Sequence, residues 1–351
     1  MMNEALPEWP AFGLADDVRP ALRAAAATGK PLVLATLTAL GGGGPRPVGT
    51  QMVFGHGVVS GYFSGGCVES DVAAHAQACL ADGAPRTLVY GEGSPWPDIQ
   101  LLCGARIEIF LERVAADDPA LAELLAAQNG RRPCVWLSDG RVRRCVAPEA
   151  AQPWAGAIRR DHEPTPRLAV VGSDPAALAI AGLGAQSGFE TTLIRPKGPE
   201  TPPPLAGVAY RREEAGQALA DLGLDPWTAV AVASHDLVTD QSALLAALPS
   251  RAAYVGLLGA RARLPERLAK LRALGVSEPA IGRLHAPIGL DIGGKAPWEV
   301  AVSVIGEIMA LRHARLSGST STSPPAGTAA APGGRRSSAS APAKTLTSEE
   351  S

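Results

Sequence analysis

Residues 168–196 read LAVVGSDPAALAIAGLGAQSGFETTLIRP, and this pattern predicts a strand, a tight turn, a helix and a second strand. The first run is apolar and β-branched, as buried strands are. Asp174 is a good helix N-cap and Pro175 a good first helical residue, and small apolar residues follow them. Strand–helix–strand units of this length build parallel sheets.

The same alternation continues towards the C-terminus and predicts a Rossmann-like domain over residues 167–313. The predicted strands are Leu168–Val171, Thr191–Ile194, Thr228–Ala233 and Ala253–Gly256, and the predicted helices are Pro175–Ser187, Thr239–Ala247, Pro265–Leu274 and Pro297–Arg312. Because helices connect the strands, the fold class is α/β and this sheet is expected to be parallel and doubly wound.

The turn after the first of these strands departs from a dinucleotide-binding fingerprint. That fingerprint needs Gly, any residue, Gly, two residues, then Gly or Ala, and the slots here hold Gly172, Asp174 and Ala177. Asp174 removes the glycine that lets a pyrophosphate approach and adds a negative charge. Arg195 stands where an acidic residue would bind the ribose. We expect NAD(P) binding to be weak or absent, and an NAD(P)-dependent oxidoreductase is the alternative function.

The rest of the chain divides into three further segments. Residues 16–114 form an N-terminal α/β domain, with a helix at Ala15–Thr28, a second helix after a Gly-Gly-Cys turn, and alternating strands at 31–40, 86–91 and 105–114. Residues 115–166 form a connecting segment, with a helix-like stretch Pro119–Ala127, a short strand Cys134–Leu137 and a Pro-punctuated linker Pro148–Pro166. Residues 314–351 are rich in Ser, Thr, Pro, Ala and Gly, which predicts a disordered tail.

Composition excludes several classes of protein. The chain has 351 residues, of which 46% are hydrophobic, so it can bury real cores. A net charge of −2 lacks the basic surplus that nucleic-acid binding needs. Five cysteines without a CxxC spacing argue against a disulfide framework or a zinc ribbon. Without a signal peptide or a long apolar window, we expect a cytoplasmic protein that does not contact the membrane.

The first candidate site is Gly65-Gly66-Cys67-Val68-Glu69. The two glycines allow a tight turn and the close approach of a ligand. Cys67 would lie near the start of a helix, where the positive end of the helix dipole lowers a thiol pKa. Glu69 would act as an acid or base, or would interact with the dipole. The alternative is a buried structural cysteine at a tight turn.

Two further candidates lie in loops of the same domain. Cys103 and Gly104 stand at the head of a strand, and Cys103 paired with Cys67 would offer two thiols to a soft metal or a cofactor. Arg46, within GGGGPRPVGTQM, would form a bidentate contact to a phosphate or carboxylate. The alternatives are ordinary packing for the cysteine and an exposed arginine in a flexible loop.

The last candidate is Ser234-His235-Asp236, with Asp240 nearby. It follows a predicted strand of the parallel sheet, where such sheets place their ligands. An imidazole and two carboxylates would bind a divalent cation or transfer a proton. The alternative is a set of hydrogen bonds that fixes the loop and caps the next helix.

Taken together, several stretches resemble the XdhC/CoxI family, the accessory proteins of molybdenum hydroxylases. The matching stretches are LATLTALGGGGPRPVGTQM, GYFSGGCVE, LLCGARIEIFLE, SHDLVTD, AAYVGLLGARAR and PIGLDIGGKAPWEVAVSVIGEI, which run in order through residues 30–313. The resemblance implies an N-terminal XdhC-type domain followed by a Rossmann-like domain. The family's glycine-flanked cysteine corresponds to Cys67, and its strand-head cysteine to Cys103.

The resemblance also implies a function. It predicts a maturation factor, or chaperone, that binds a molybdopterin-type molybdenum cofactor transiently and is an accessory protein more than a turnover enzyme. The expected partners are a cysteine desulfurase, which supplies sulfur to the cofactor, and the apoenzyme of a xanthine-dehydrogenase-type hydroxylase, which receives it. A homodimer is expected on the same ground. A second alternative is a non-catalytic scaffold that brings the two partners together.

Overall fold

The computed structural model of the chain describes residues 6–44, 46–64, 66–92, 94, 104 and 106–316. The strands are β1 Leu32–Gly41, β2 Gln51–Gly55, β3 Val58–Gly61, β4 Arg86–Tyr90, β5 Arg106–Val114, β6 Cys134–Ser138, β7 Arg143–Val146, β8 Ile158–His162, β9 Arg167–Gly172, β10 Glu190–Ile194, β11 Val208–Arg211, β12 Thr228–Ala233, β13 Tyr254–Leu257 and β14 Leu284–His285. The helices are α1 Arg19–Ala26, α2 Cys67–Asp82, α3 Pro119–Asn129, α4 Pro175–Gln186, α5 Ala215–Leu222, α6 Leu237–Ala247, α7 Leu264–Ala273, α8 Glu278–Ile281 and α9 Pro297–Leu316.

The first sheet is antiparallel, with β1 at its centre and the order β3-β2-β1-β5-β4. Alternate residues of β1 enter different cores. Val33, Ala35 and Leu37 pack with residues of α2, whereas Leu32 and Leu34 pack with residues of α1 and α3. A strand covered on both faces needs apolar residues at every position, and this explains the unbroken run that begins β1.

A small antiparallel sheet of order β7-β6-β8 follows, and the sequence predicted only its middle strand. Strand β8 lies inside the stretch that we predicted to be a Pro-punctuated linker. Its sequence IRRDH carries polar side chains on both faces, so alternation gave no apolar signal. The linker prediction is therefore wrong over residues 158–162. Buried Glu112 of β5 connects the two sheets by accepting hydrogen bonds from Trp136 Nε1 at 3.0 Å and Arg143 Nε at 3.0 Å.

The six-stranded sheet of the second half has the order β11-β10-β9-β12-β13-β14, and all its strand pairs are parallel. This confirms the predicted doubly wound α/β fold. The chain reverses its winding between β9 and β12, which form the switch point at which such sheets place ligands. Strands β11 and β14 escaped prediction because they are short and only partly buried.

Side-chain hydrogen bonds join the connecting segment to the parts of the chain on either side of it. Arg131 donates from Nε to Asp225 at 2.6 Å and from Nη1 to Glu190 at 2.8 Å. Thr165 donates its hydroxyl hydrogen to Asp17 at 2.9 Å. The predicted division of the chain at residues 114 and 166 stays a prediction.

One compact unit ends at Met309, and the chain from Ala310 onwards is separate from it. Of that second part the structure describes residues 310–316, which continue α9. The predicted tail begins at residue 314, and from residue 317 it lies outside the described residues. Among the helices of the described residues, none combines the length and apolar character that crossing a membrane requires.

The connection made by Glu112 can be tested by substitution. Glu112→Ala leaves buried donors of Trp136 and Ser138 without their acceptor, and should lower the free energy of unfolding by about 3–5 kcal/mol in urea denaturation. Glu108→Ala is the matched control, because its side chain is 30% exposed on the same strand. It should cost less than about 1 kcal/mol. Equal losses in the two variants would contradict the assigned role.

Candidate functional site

Hydrogen bonds and strand register bring three elements to one end of the first sheet. Tyr90, the last residue of β4, donates its hydroxyl hydrogen to Asp71 Oδ2 of α2 at 2.7 Å. Tyr90 pairs with Ile107 of β5, and Ile107 pairs with Leu40 of β1. The start of α2, the start of β5 and the end of β1 therefore lie at the same end of the sheet, here called the loop end.

The predicted residues of the N-terminal site are attached to the loop end. Cys67 is the first residue of α2, Gly104 comes two residues before β5, and Arg46 belongs to the loop after β1. The side chain of Cys67 and all of Gly65 and Cys103 lie outside the described residues. That the two thiols face each other stays a prediction.

Gly66 leads the chain into α2 with a φ of +120°, in the region that favours glycine. A Cβ at this position would meet nothing within 4 Å among the described residues. The glycine is therefore needed for its backbone conformation, and no described side chain crowds the position of a Cβ there. Cys67 follows as the first helical residue, where the helix dipole favours a thiolate.

Glu69 holds the loop before α2 in place. Its side chain is fully buried, and its carboxylate accepts backbone hydrogen bonds from Phe63 at 2.8 Å, Ser64 at 2.6 Å and Gly66 at 2.6 Å. Burial raises the pKa of Glu69, but the N–H groups of Ser64, Gly66 and Phe63 outweigh it, so the pKa is lowered from its ordinary value of 4.5. The carboxylate is ionised at neutral pH and positions Gly66 and Cys67.

Arg46 is anchored and does not extend freely into solvent. Its guanidinium forms an ion pair with Asp16, and its side chain is 27% exposed. Its Nε is buried and has no hydrogen-bond partner among the described residues. Arg46 therefore retains an unused donor, as expected of a residue that binds an anion.

In the second half, two side chains contact each other at the sheet's switch point. His235 Nε2 lies 2.8 Å from Asp174 Oδ2, and His235 itself adopts a left-handed φ of +59°. Asp174 also caps α4 by accepting from Ala177 N at 2.8 Å. Gly172 serves packing, since a Cβ there would lie 2.4 Å from the carbonyl oxygen of Ala233.

Asp236 serves as the N-cap of α6. Its carboxylate accepts from Thr239 Oγ1 at 2.6 Å and from Thr239 N at 3.2 Å. These bonds favour the capping alternative for Asp236, while ligand binding by His235 stays a prediction. Among the residues that the structure describes, no group of three or more His, Cys, Asp or Glu side chains is arranged to hold a metal ion.

A cavity of about 220 Å³ lies between α6 and α7. Asp240 forms one wall, where it accepts from Ser234 Oγ at 2.6 Å and from Arg267 Nη1 at 3.0 Å. The sequence analysis missed this cavity, because a charged helix such as α7 is typical of a solvated surface.

A partly buried glutamate fixes the glycine turn before α9. Glu307 accepts from Gly289 N at 2.8 Å and from the hydroxyl of Tyr254 at 2.5 Å, and its Oε1 lies 3.1 Å from His285 Nδ1. Burial raises the pKa of Glu307, but His285, Tyr254 and Gly289 lower it overall. The sequence showed the turn and the glutamate but not their contact, because they lie 18 residues apart.

Three basic residues that were not among the predicted site residues lie close together, one at the start of α1 and two in β8. Arg19, Arg160 and His162 each have a buried nitrogen without a hydrogen-bond partner among the described residues. Two of them lie in β8, within the predicted linker. The only signal in the sequence was their basic character, which surface residues share.

The fold and the loop before α2 define a two-part α/β protein whose second half is Rossmann-like. The family model described as the XdhC and CoxI family matches residues 25–91, and that of the XdhC Rossmann domain matches residues 168–308. The chain belongs to the XdhC and CoxI family. The resemblance read from the sequence is thereby confirmed.

Two relatives extend over most of the chain. The molybdenum cofactor insertion chaperone PaoD of Escherichia coli is 32% identical over 306 residues, which cover 85% of this chain and 90% of PaoD. A protein of Bacillus subtilis described as a probable xanthine dehydrogenase subunit is 28% identical over 317 residues, covering 80% and 93%. A crystal structure described as a xanthine dehydrogenase from Bacillus halodurans shares the fold, with a TM-score of 0.69, 22% identity, and coverage of 86% of this chain and 98% of its own.

The carboxylate of Glu69 can be tested through its pH dependence. Glu69→Gln replaces one accepting oxygen by an amide donor and should destabilise the protein by about 2–3 kcal/mol at pH 7. A lowered folded-state pKa stabilises the protein above pH 4.5, and that contribution is lost as the pH falls through the folded value. The gap between wild type and Glu69→Gln should therefore narrow below pH 4.5 in urea denaturation.

Exposed Glu123→Gln, on α3, serves as the control and should match wild type throughout. A stability difference between Glu69→Gln and wild type that stays constant from pH 3 to pH 7 would be inconsistent with an ionised Glu69.

Proposed function

We propose that this protein is a maturation factor that binds a molybdenum cofactor and delivers it to a molybdenum enzyme. The observation that carries the proposal is the loop held by Glu69, which places Cys67 as the first residue of α2 directly after the turn at Gly66. The 32% identity to a molybdenum cofactor insertion chaperone over most of both chains supports it.

The chemistry of the loop end fits such a cofactor. Molybdenum bound by dithiolene sulfur is a soft centre, and a thiolate suits it. Cys67 supplies that thiol, with Cys103 as the predicted second donor. Gly66 keeps the approach free of side-chain atoms, and Glu69 fixes the backbone around the thiol. The chain's own share of the reaction is to bind the cofactor, orient it and protect it from solvent.

The finer parts of the proposal concern the partners. The protein holds the cofactor while a cysteine desulfurase supplies sulfur for a sulfido ligand, and then passes it to the apoenzyme of a xanthine-dehydrogenase-type hydroxylase. These partners and the homodimer rest on the family resemblance. A pull-down that survives loss of both cysteines, with unchanged activation of the hydroxylase, would favour the non-catalytic scaffold instead.

NAD(P)-dependent oxidation remains the less favoured function. The Asp174–His235 contact places a carboxylate and an imidazole where a dinucleotide pyrophosphate would lie. A carboxylate there repels phosphate. The Rossmann-like half therefore acts in our proposal as a framework and an interaction surface.

Substitution of two cysteines in one helix tests the proposal. Cys67→Ala should lose at least about tenfold in cofactor affinity and in activation of apo-hydroxylase, because it removes the metal-directed thiol. Cys79→Ala is the matched control, since Cys79 lies on the same helix and is fully buried in the hydrophobic core beneath it. It should cost some stability and leave binding unchanged. Cofactor co-elution and hydroxylase activity after reconstitution measure both effects.

Equal cofactor binding by Cys67→Ala and wild type would disprove the role of the thiol. A wild-type chain that neither retains the cofactor nor activates the apoenzyme would disprove the function itself.

A further inference from the structure

Three buried nitrogens of basic side chains lack partners in one region of the molecule. They are Arg19 Nη1, Arg160 Nε and His162 Nε2, and none has a hydrogen-bond partner within the part of the chain that the structure describes. Arg19 is 5% exposed and His162 is 6% exposed. A buried polar nitrogen without a partner costs free energy, so three in one region need an explanation. The two guanidinium nitrogens are donors, and His162 Nε2 is a donor in one of the two neutral tautomers.

Strand and helix positions direct these side chains into a common region. Arg160 and His162 are two residues apart in β8 and share one face of the small sheet, whereas Arg159 and Asp161 point to the other face and pair with each other at 2.7 Å. Arg19 begins α1, whose apolar residues pack in the same core as Cys134, the residue opposite His162.

The ion pairs among the described residues of this region leave out Arg160. Asp17 binds Arg19 through both of its oxygens, at 2.8 Å each, and Asp16 pairs with Arg46. Arg160 has no ion pair within the described residues. Burial, and then the positive charge of Arg19, lower the pKa of Arg160. Arg160 is only partly buried as a residue, but its Nε is buried, and a buried guanidinium nitrogen without an acceptor is destabilising.

The charge and the unused donors call for the same ligand. We propose that Arg19, Arg160 and His162 form a binding site for a phosphate group, which would accept hydrogen bonds from their free nitrogens and neutralise Arg160. Guanidinium groups match the oxygens of a phosphate in geometry and charge. The nearby carboxylates are already bound to other arginines, with the exception of Glu163.

The glycine loop after β1 links this phosphate site to the loop end. Gly49 closes the loop beside Arg160, and a Cβ at Gly49 would lie 3.0 Å from Arg160 Cδ. Gly49 N also donates to Leu37 O at 2.8 Å, four residues before β1 ends. Arg46 lies in the same loop and has the further buried donor, Nε.

The identity of the bound phosphate rests on the proposed function. A molybdopterin carries a phosphate, and in our proposal the site binds that group. Free inorganic phosphate shares the chemistry and provides a probe that does not require the cofactor.

The test compares wild type, Arg160→Met and Arg159→Met as full-length proteins in chloride buffer of constant ionic strength. Inorganic phosphate at ten times its dissociation constant should raise the Tm of wild type and of Arg159→Met by about 2–4 °C. The shift in Arg160→Met should fall below about 1 °C, with at least a tenfold loss of phosphate affinity in calorimetry. Without phosphate, Arg160→Met should melt at or above the wild-type Tm, because the variant loses a partly buried charge that has no ion pair among the described residues.

A second arm replaces phosphate by purified molybdenum cofactor. Weaker cofactor retention by Arg160→Met than by Arg159→Met supports the cofactor's phosphate as the occupant. If phosphate binds as described but no protein retains the cofactor, the phosphate site stands and the proposed function fails. The site is overturned if the Tm of Arg160→Met responds to phosphate as the wild-type Tm does. It is also overturned if the wild-type Tm shows no response up to about 10 mM phosphate. A large fall in Tm of phosphate-free Arg160→Met would assign Arg160 a structural role and would also overturn it.

Discussion

The carboxylate of Glu69 is the interaction on which the candidate site depends. It accepts hydrogen bonds from three backbone N–H groups of the loop that precedes α2, with N–O distances of 2.6–2.8 Å, and the side chain is fully buried. A loop of glycine and serine would otherwise sample many conformations. The hydrogen bonds select one of them, and with it the position at which Cys67 enters the helix. Tyr90 and Asp71 then fix that helix against the end of the first sheet. The loop is thus held by its own helix, and a Cβ at Gly66 would meet no described atom within 4 Å.

In both halves of the molecule, a glutamate carboxylate accepts a backbone N–H of a glycine loop. Glu307 fixes the glycine turn before α9 as Glu69 fixes the loop before α2, by accepting a backbone N–H, although Glu307 is only partly buried. In the second half, however, Asp174 and His235 contact each other directly after β9 and β12, at the edge of the sheet where Rossmann folds bind nucleotides. The first half carries Arg46 in the loop after β1, and the Nε of Arg46 has no hydrogen-bond partner among the described residues. In our proposal, cofactor binding belongs to the first half and a supporting role to the second.

The sequence predicted those features that depend on local pattern. The parallel strands β9, β10, β12 and β13 are apolar runs, and Asp174 and Pro175 mark a helix start, so these elements were predictable. Strand β8 was not, because Arg160 and His162 face inwards, and alternation of charged residues does not indicate a buried face. Glu69 follows Gly66 by three residues, which is the spacing of a capping box. The sequence did not indicate that both carboxylate oxygens of Glu69 accept backbone hydrogen bonds. Contacts such as His235–Asp174, between residues 61 apart, depend on the packing of the sheet.

Amide hydrogen–deuterium exchange of the full-length protein, with and without purified molybdenum cofactor, tests the central claim most directly, since it locates the cofactor without any substitution. If the cofactor binds at the loop end, the backbone amides of residues 63–70 and of the loop 42–49 should exchange more slowly when it is present, while those of 172–177 and 234–240 in the Rossmann-like crevice should not change. Protection confined to the crevice, with no change at residues 63–70, would contradict the account.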